Sequence, residues 1–155
     1  MSNPVNYDVI GIGNAIVDVI APSSDTFLDQ MGITKGIMQL IERDRAELLY
    51  ASMDSRVEAP GGSVANTIAG IGELGLQTAF IGKVKDDALG KLYADSLQKA
   101  GTAFPLSPQN VEFPTSRSMI FVSPDGERSM NTYLGAGADI SSADVPDVFG
   151  TGLLF

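Results

Sequence analysis

A chain of 155 residues is long enough to bury a core of its own, and with 44% of them apolar it is neither disordered nor fibrous. Acidic residues outnumber basic ones by 19 to 10, a net charge of −9 that argues against nucleic acid or an anionic membrane surface as a partner. Cysteine and histidine are both absent, which excludes disulfides, thiolate and imidazole metal sites and a Ser-His-Asp arrangement, leaving carboxylates, lysines, backbone amides and borrowed ions for chemistry.

The run from Tyr7 to Pro22 has no basic segment before it and is interrupted by Asp8, Asn14 and Asp18, so neither a signal peptide nor a membrane span is read and a cytoplasmic location is expected. Tyr7 to Gly13 reads as a buried strand. The β-branched residues Ile16, Val17, Val19 and Ile20 continue it, as one long or bent strand. A short helix over Asp25 to Met31 stops at Gly32, a strand covers Ile37 to Ile41, and a helix from Glu42 to Met53 puts Ala46, Leu49, Tyr50 and Met53 on one face. Gly61-Gly62-Ser63 opens a helix to about Leu74, with Ser63 as its expected N-cap. The strand Thr78 to Val84 and a helix from Ala88 to Ala100 follow, Gly101 ending the latter. The alternation over 56–104 predicts a right-handed βαβ layer. Thr115 to Leu134 reads as a β-hairpin around Pro124-Asp125-Gly126, its loose alternation predicting a sheet with one face over a ligand. Thr151 to Phe155 reads as the start of a further buried strand, as though a longer protein continued from here.

Two phosphate-loop readings fail on spacing. After Gly11-Ile12-Gly13 the third glycine of a dinucleotide fingerprint would fall at Ile16, and extended residues follow where a helix is required. Gly82-Lys83 lacks the first glycine of a Walker loop, since Gln77 stands there, and Val84 replaces the magnesium-binding hydroxyl. Asn14 and Asp18 are four apart, so in one strand both would face one side and reach a single polyol; a lone aspartate at a strand end is also an ordinary solvated turn residue. Gly61-Gly62-Ser63-Val64-Ala65-Asn66-Thr67 brings bare backbone amides and a helix N-terminus together, with Asn66 one turn in. That is either a hydroxyl-gripping nest or a plain glycine turn.

The GGSVANT stretch with Gly75, TAFIGKV, Asp86-Asp87 and Gly90 resembles the first signature of the PfkB-type carbohydrate kinases of the ribokinase superfamily, and GNAIVDVIA resembles the sugar-contacting strand of their adenosine kinase branch. The resemblance runs from Tyr7 onward and covers the N-terminal half of such a kinase. It implies an α/β fold: a ribokinase-like three-layer α/β/α core, over residues 1–13, 42–114 and 135–155, with a small β-sheet lid over 14–41 and 115–134. It implies that Asp18, Gly61, Gly62 and Asn66 bind sugar hydroxyls, with Asn14 and Ser63 beside them and Ile16, Met38 and Leu40 as an apolar wall. Gly126 to Met130 resembles the lid strand of adenosine kinases, which puts Met130 and Thr132 over the base and Arg128 near the phosphates.

The chain departs from the family pattern at Lys85, where glycine is usual. Ile68 matches the adenosine kinases and not the sugar kinases, which favours a nucleoside. Gly135-Ala136-Gly137-Ala138-Asp139 is not the family's GAGD motif, because Ala138 intervenes and no Asp-Thr precedes it, so no catalytic residue and no metal ligand is expected in this segment. The implied function is ATP- and Mg2+-dependent phosphoryl transfer to a primary hydroxyl, most directly the 5′-hydroxyl of adenosine, with ATP and Mg2+ held mainly outside these residues. A kinase of ribose or fructose is the alternative within the class; a nucleoside-binding module without chemistry, or a homodimer through the lid, are those outside it.

Overall fold

The apolar run that reads as one strand is two, in two different sheets. In the computed structural model, which describes residues 6–145 and 153–155, β1 (Val9–Ile12) and β2 (Ile16–Pro22) are separated at Gly13–Ala15, where the chain leaves one sheet for the other. Ala15 is fully buried at this crossing, and Gly13 lies against Val64 and Phe80 with little room for a side chain.

The first sheet is parallel, in the order β6-β5-β1-β9, with β5 at Thr78–Ile81, β6 at Thr102–Ala103 and β9 at Leu153–Leu154. Helices α3 (Ser63–Glu73) and α4 (Ala88–Lys99) cover the face that carries Val9 and Phe80, through Ala65, Ile68, Leu89, Tyr93 and Leu97. On the opposite face Ile10, Ala79 and Ile81 meet Leu106, Ile140 and Val145, which belong to no α-helix. The fold is α/β as expected, and the described residues put helices on one face of this sheet. The β5-α4-β6 unit is the parallel crossover anticipated, with Gly101 at φ 78° closing its helix. Leu153 and Leu154 pair beside β1 at the sheet's margin but are 66% and 69% exposed, against the buried strand expected there; 151–152 lie outside the described residues.

The second sheet has the order β3-β8-β7-β2-β4, with β3 at Met38–Leu40, β4 at Val57–Gly61, β7 at Ser116–Val122 and β8 at Arg128–Tyr133. The hairpin is as predicted, Gly126 taking φ 86° in its turn. Residues 56–59 do not open the βαβ layer. β4 pairs antiparallel with β2 as an edge strand, where Pro60 is tolerated because its missing N–H falls outside the ladder. One face of the sheet, through Val17, Val19, Ala21, Met119, Phe121 and Tyr133, packs on α1 (Asp25–Gln30) and α2 (Arg43–Ala51), with Leu28, Ala46 and Leu49 fully buried between them. Phe27 and Phe121 meet at 5.6 Å between ring centroids.

The N-cap of α3 is Gly62, at φ 96°, and not Ser63, which is the first helical residue and makes no cap bond with its side chain. Gly135–Asp139 forms a 3-10 turn tied to the segment entering β7 by the Ala136 N–H on the Pro114 carbonyl (2.9 Å) and to β7 itself by the Gly137 N–H on Ser116 Oγ (2.9 Å). Among the described residues no helix is long and apolar enough to cross a membrane.

Candidate functional site

The residues of the second sheet that do not pack on α1 and α2 form a separate face. Side chains alternate along a strand, so the ladder register sorts them into rows. One row runs Asp18, Ser118, Thr132 and Leu40; the next runs Ile20, Ile120, Met130 and Met38; Arg128 stands in the row beyond, opposite Val122. Ile16, beside Gly61, begins the face on the other side of Asp18. The sheet residues predicted for the site, Ile16, Asp18, Met38, Leu40, Arg128, Met130 and Thr132, therefore share this face. Met38 and Leu40, on the edge strand, are 58% and 60% exposed.

Asp18 is half-buried on this face. Burial pushes its carboxyl above the ordinary carboxylate value, and the Arg128 guanidinium pulls it partly back. Its carboxylate stands against the α-carbon of Gly61, where any side chain would displace it. The Gly61 carbonyl accepts a hydrogen bond from the buried Tyr93 hydroxyl at 3.2 Å, which anchors the site to α4. Burial, with Asp18's charge adding, drives that phenol well above its usual range, so Tyr93 stays protonated as a donor.

Gly62 brings the start of α3 against the chain crossing. A Cβ there would come within 2.8 Å of the Asn14 carbonyl. Asn14 thus lies in the break between β1 and β2 and not on a common strand with Asp18, so the four-residue spacing does not align the two; the crossing sets the Asn14 backbone carbonyl next to Gly62. Asn14, Ser63 and Asn66 are exposed, and none of their side chains has a hydrogen-bond partner among the described residues. The arrangement offers a desolvated carboxylate that accepts from hydroxyls, a helix N-terminus beside it, and an apolar floor one row away. Ser118, Ile20 and Ile120 belong to the same face and were missed. Ile20 shares Asp18's side by alternation along β2, whereas only knowledge of which strands pair reveals the side of Ser118 and Ile120, since β7 reads as a mixed run of serines and apolar residues.

A family model described as "pfkB family carbohydrate kinase" matches residues 27–150. Among curated proteins, a rice fructokinase-2 (Oryza sativa subsp. japonica) is 32% identical over 97 residues and an Escherichia coli fructokinase 32% identical over 102. These matches take in 63% and 64% of this chain but only 29% and 33% of the relatives. Among solved structures, an adenosine kinase from Sinorhizobium meliloti aligns with TM-score 0.82 and 54% identity over 91% of this chain and 43% of its own. A probable sugar kinase from Rhizobium etli CFN 42 gives 0.80 and 48%, over 90% and 42%. The adenosine kinase of Schistosoma mansoni in complex with adenosine shares the fold, at TM-score 0.77 and 22% identity. The chain spans less than half the length of these structures and about a third of the curated relatives. With the match extending over most of its residues, the chain belongs to the pfkB family of carbohydrate kinases.

Proposed function

We propose that this chain is the acceptor-binding half of an ATP-dependent kinase that phosphorylates a primary hydroxyl of a nucleoside, most directly the 5′-hydroxyl of adenosine. The observation that carries the reading is Asp18, a half-buried carboxylate standing between the Gly61–Gly62 turn and the apolar row of Ile20, Ile120, Met130 and Met38. In this reading Asp18 accepts hydrogen bonds from ribose hydroxyls, while the amides at the start of α3, with Asn14, Ser63 and Asn66, hold the remaining polar atoms. Ile16, Ile20, Ile120, Met130 and Met38 shelter the base, and Arg128 draws toward the phosphates. Positioning and charge stabilisation are what such a transfer asks of a protein.

ATP would supply the phosphoryl group. Among the described residues there is no group of three or more acidic side chains placed to hold a metal ion. The 54% identity to a bacterial adenosine kinase supports the nucleoside; the fructokinases among the curated relatives support a free sugar as the second reading. Calorimetric titration of the chain with adenosine, ribose and fructose tests the choice. Adenosine is expected to bind tightest, and tighter binding of fructose overturns the nucleoside reading. Failure of the whole protein to phosphorylate any of the three from ATP would leave a binding module without chemistry.

A further inference from the structure

Ser118 Oγ and Thr132 Oγ1 lie 2.8 Å apart, in the same row as Asp18, and are 4% and 6% exposed. Two hydroxyls carry two protons, and the bond between them uses one. Neither side chain makes a second hydrogen bond among the described residues, so whichever hydroxyl receives, its own proton is left without an acceptor. A buried donor with no partner is unfavourable, and such groups ordinarily find one. The other hydroxyl pair among the described residues, Thr78 and Thr102 at 3.0 Å, is closed over by Gly72 of α3, whose added Cβ would lie 2.8 Å from Thr78 Oγ1. That pair is buried beneath α3, each threonine 1% exposed. The Ser118–Thr132 pair belongs instead to the face away from α1 and α2, between Asp18 and the exposed Leu40.

We propose that the Ser118–Thr132 pair is a specificity determinant that donates one hydrogen bond to an acceptor atom of the bound nucleoside, the purine ring nitrogen nearest the sugar, N3. The inference rests on the nucleoside reading of the site. Asp18 accepts from hydroxyls, and Ser118 offers a donor one strand away, at about 4.8 Å along the row. A ligand must therefore present donors and an acceptor a few ångströms apart, as ribose hydroxyls and purine N3 do. The flanking row of Ile20, Ile120, Met130 and Met38 suits the ring that carries that nitrogen.

The test is calorimetry with adenosine and 3-deazaadenosine, which keep the same sugar and amino group and differ at this nitrogen. The parent chain is expected to prefer adenosine by about tenfold, the effect of leaving one buried donor unpaired. In the double variant Ser118→Ala/Thr132→Val the preference is expected to shrink to within about twofold, and removing both partners together leaves the fold intact because neither is stranded. Thr132→Ser, which keeps the hydroxyl, is expected to retain the preference. Adenosine binding with no preference in the parent, or with the preference undiminished in the double variant shown folded by circular dichroism, overturns this inference alone. No adenosine binding by the folded parent overturns the nucleoside reading and the inference with it.

Discussion

The carboxylate of Asp18 touches the bare α-carbon of Gly61: a Cβ built on that glycine would stand 2.5 Å from Oδ1 and 2.6 Å from Oδ2. These two residues come from antiparallel neighbours, β2 and β4, and their proximity fixes where the carboxylate points. The glycine is needed here for space, not for an unusual dihedral, whereas Gly62 next to it needs both, with φ 96° and the Asn14 carbonyl close by.

Gly61→Ala is accordingly expected to push the carboxylate off its position, lowering affinity for adenosine about tenfold or more and stability by about 1–3 kcal/mol, as overpacking does. Gly62→Ala adds a left-handed conformation that costs about 1–2 kcal/mol before its clash is counted. Calorimetry and urea denaturation separate the two effects. Full affinity in Gly61→Ala would mean that Asp18 is not the acceptor's anchor.

Asp18→Asn tests the same carboxylate through its charge. Because burial holds the folded carboxyl above its ordinary value of 3.8, the folded state keeps its proton longer than the unfolded chain. The stability this group contributes is present below 3.8 and lost as pH rises through the folded value. Asn, neutral throughout, should therefore leave the protein at least as stable near pH 7. Ligand binding should move the other way: the ionised form accepts the hydroxyls, so the parent loses affinity as pH falls through the raised carboxyl, while the variant binds weakly and without that pH dependence. The expected loss near neutral pH is about tenfold to a hundredfold, for bonds to a charged group worth about 1.5–3 kcal/mol. Equal affinity in parent and variant would remove Asp18 from the site.

The glycine-rich turn, the β7–β8 hairpin and the helices were legible because each is announced locally: Gly61-Gly62 before a helix, Asp125-Gly126 between apolar runs, Gly101 after one. What escaped was set by which strands pair. Nothing in Gly13-Asn14-Ala15 marks a change of sheet, since the residues on both sides are equally β-branched, and nothing local assigns β4 to β2. Ser118 shows why the site was only partly readable. Its side of the sheet depends on a register set by Asp18 and Thr132, 100 residues and 14 residues away along the chain. The helical spacing of α4 marks Tyr93 as one more apolar position, and its hydrogen bond to Gly61 comes from a tertiary contact that periodicity cannot show.

A third prediction concerns Asp87, which ties α4 to the entry of β7. Its Oδ1 accepts from the Gly90 N–H at 2.8 Å, capping the helix, and from Thr115 Oγ1 at 2.7 Å, while Oδ2 accepts from the Thr115 N–H at 3.0 Å. Gly90 must be glycine for this turn to close, since a Cβ would collide with the Lys85 carbonyl. Asp87→Ala is expected to cost about 2–4 kcal/mol, a lost cap together with a buried Thr115 N–H left without its acceptor. Asp87→Asn, which keeps the acceptor oxygen, should cost distinctly less. Denaturant midpoints check both, and equal midpoints for Asp87→Ala and the parent would show the tie to be without weight.

The last prediction concerns Arg128, exposed at the start of β8 with no carboxylate in salt-bridge contact among the described residues, yet close enough to Asp18 to lower its pKa. Two roles are open to it. As a surface charge it would be replaceable without consequence. As the cation drawn over the acceptor it would act on Asp18 at rest and on the phosphoryl group during transfer, where a planar guanidinium suits bidentate contact. The two roles predict different outcomes for Arg128→Ala. Removing the positive charge should raise the Asp18 carboxyl further, moving the acid limb of adenosine binding to higher pH while affinity at pH 7–8 changes little. A contact that strengthens as charge develops should show in turnover and not in acceptor affinity. In the whole protein kcat is expected to fall by about tenfold to a thousandfold, the range for losing one charge-stabilising donor. An Asp18 titration followed by NMR and steady-state kinetics with adenosine and ATP measure the two effects. An unshifted Asp18 together with kcat within about twofold of the parent, well short of the 1.36 kcal/mol of a tenfold loss, would return Arg128 to the surface.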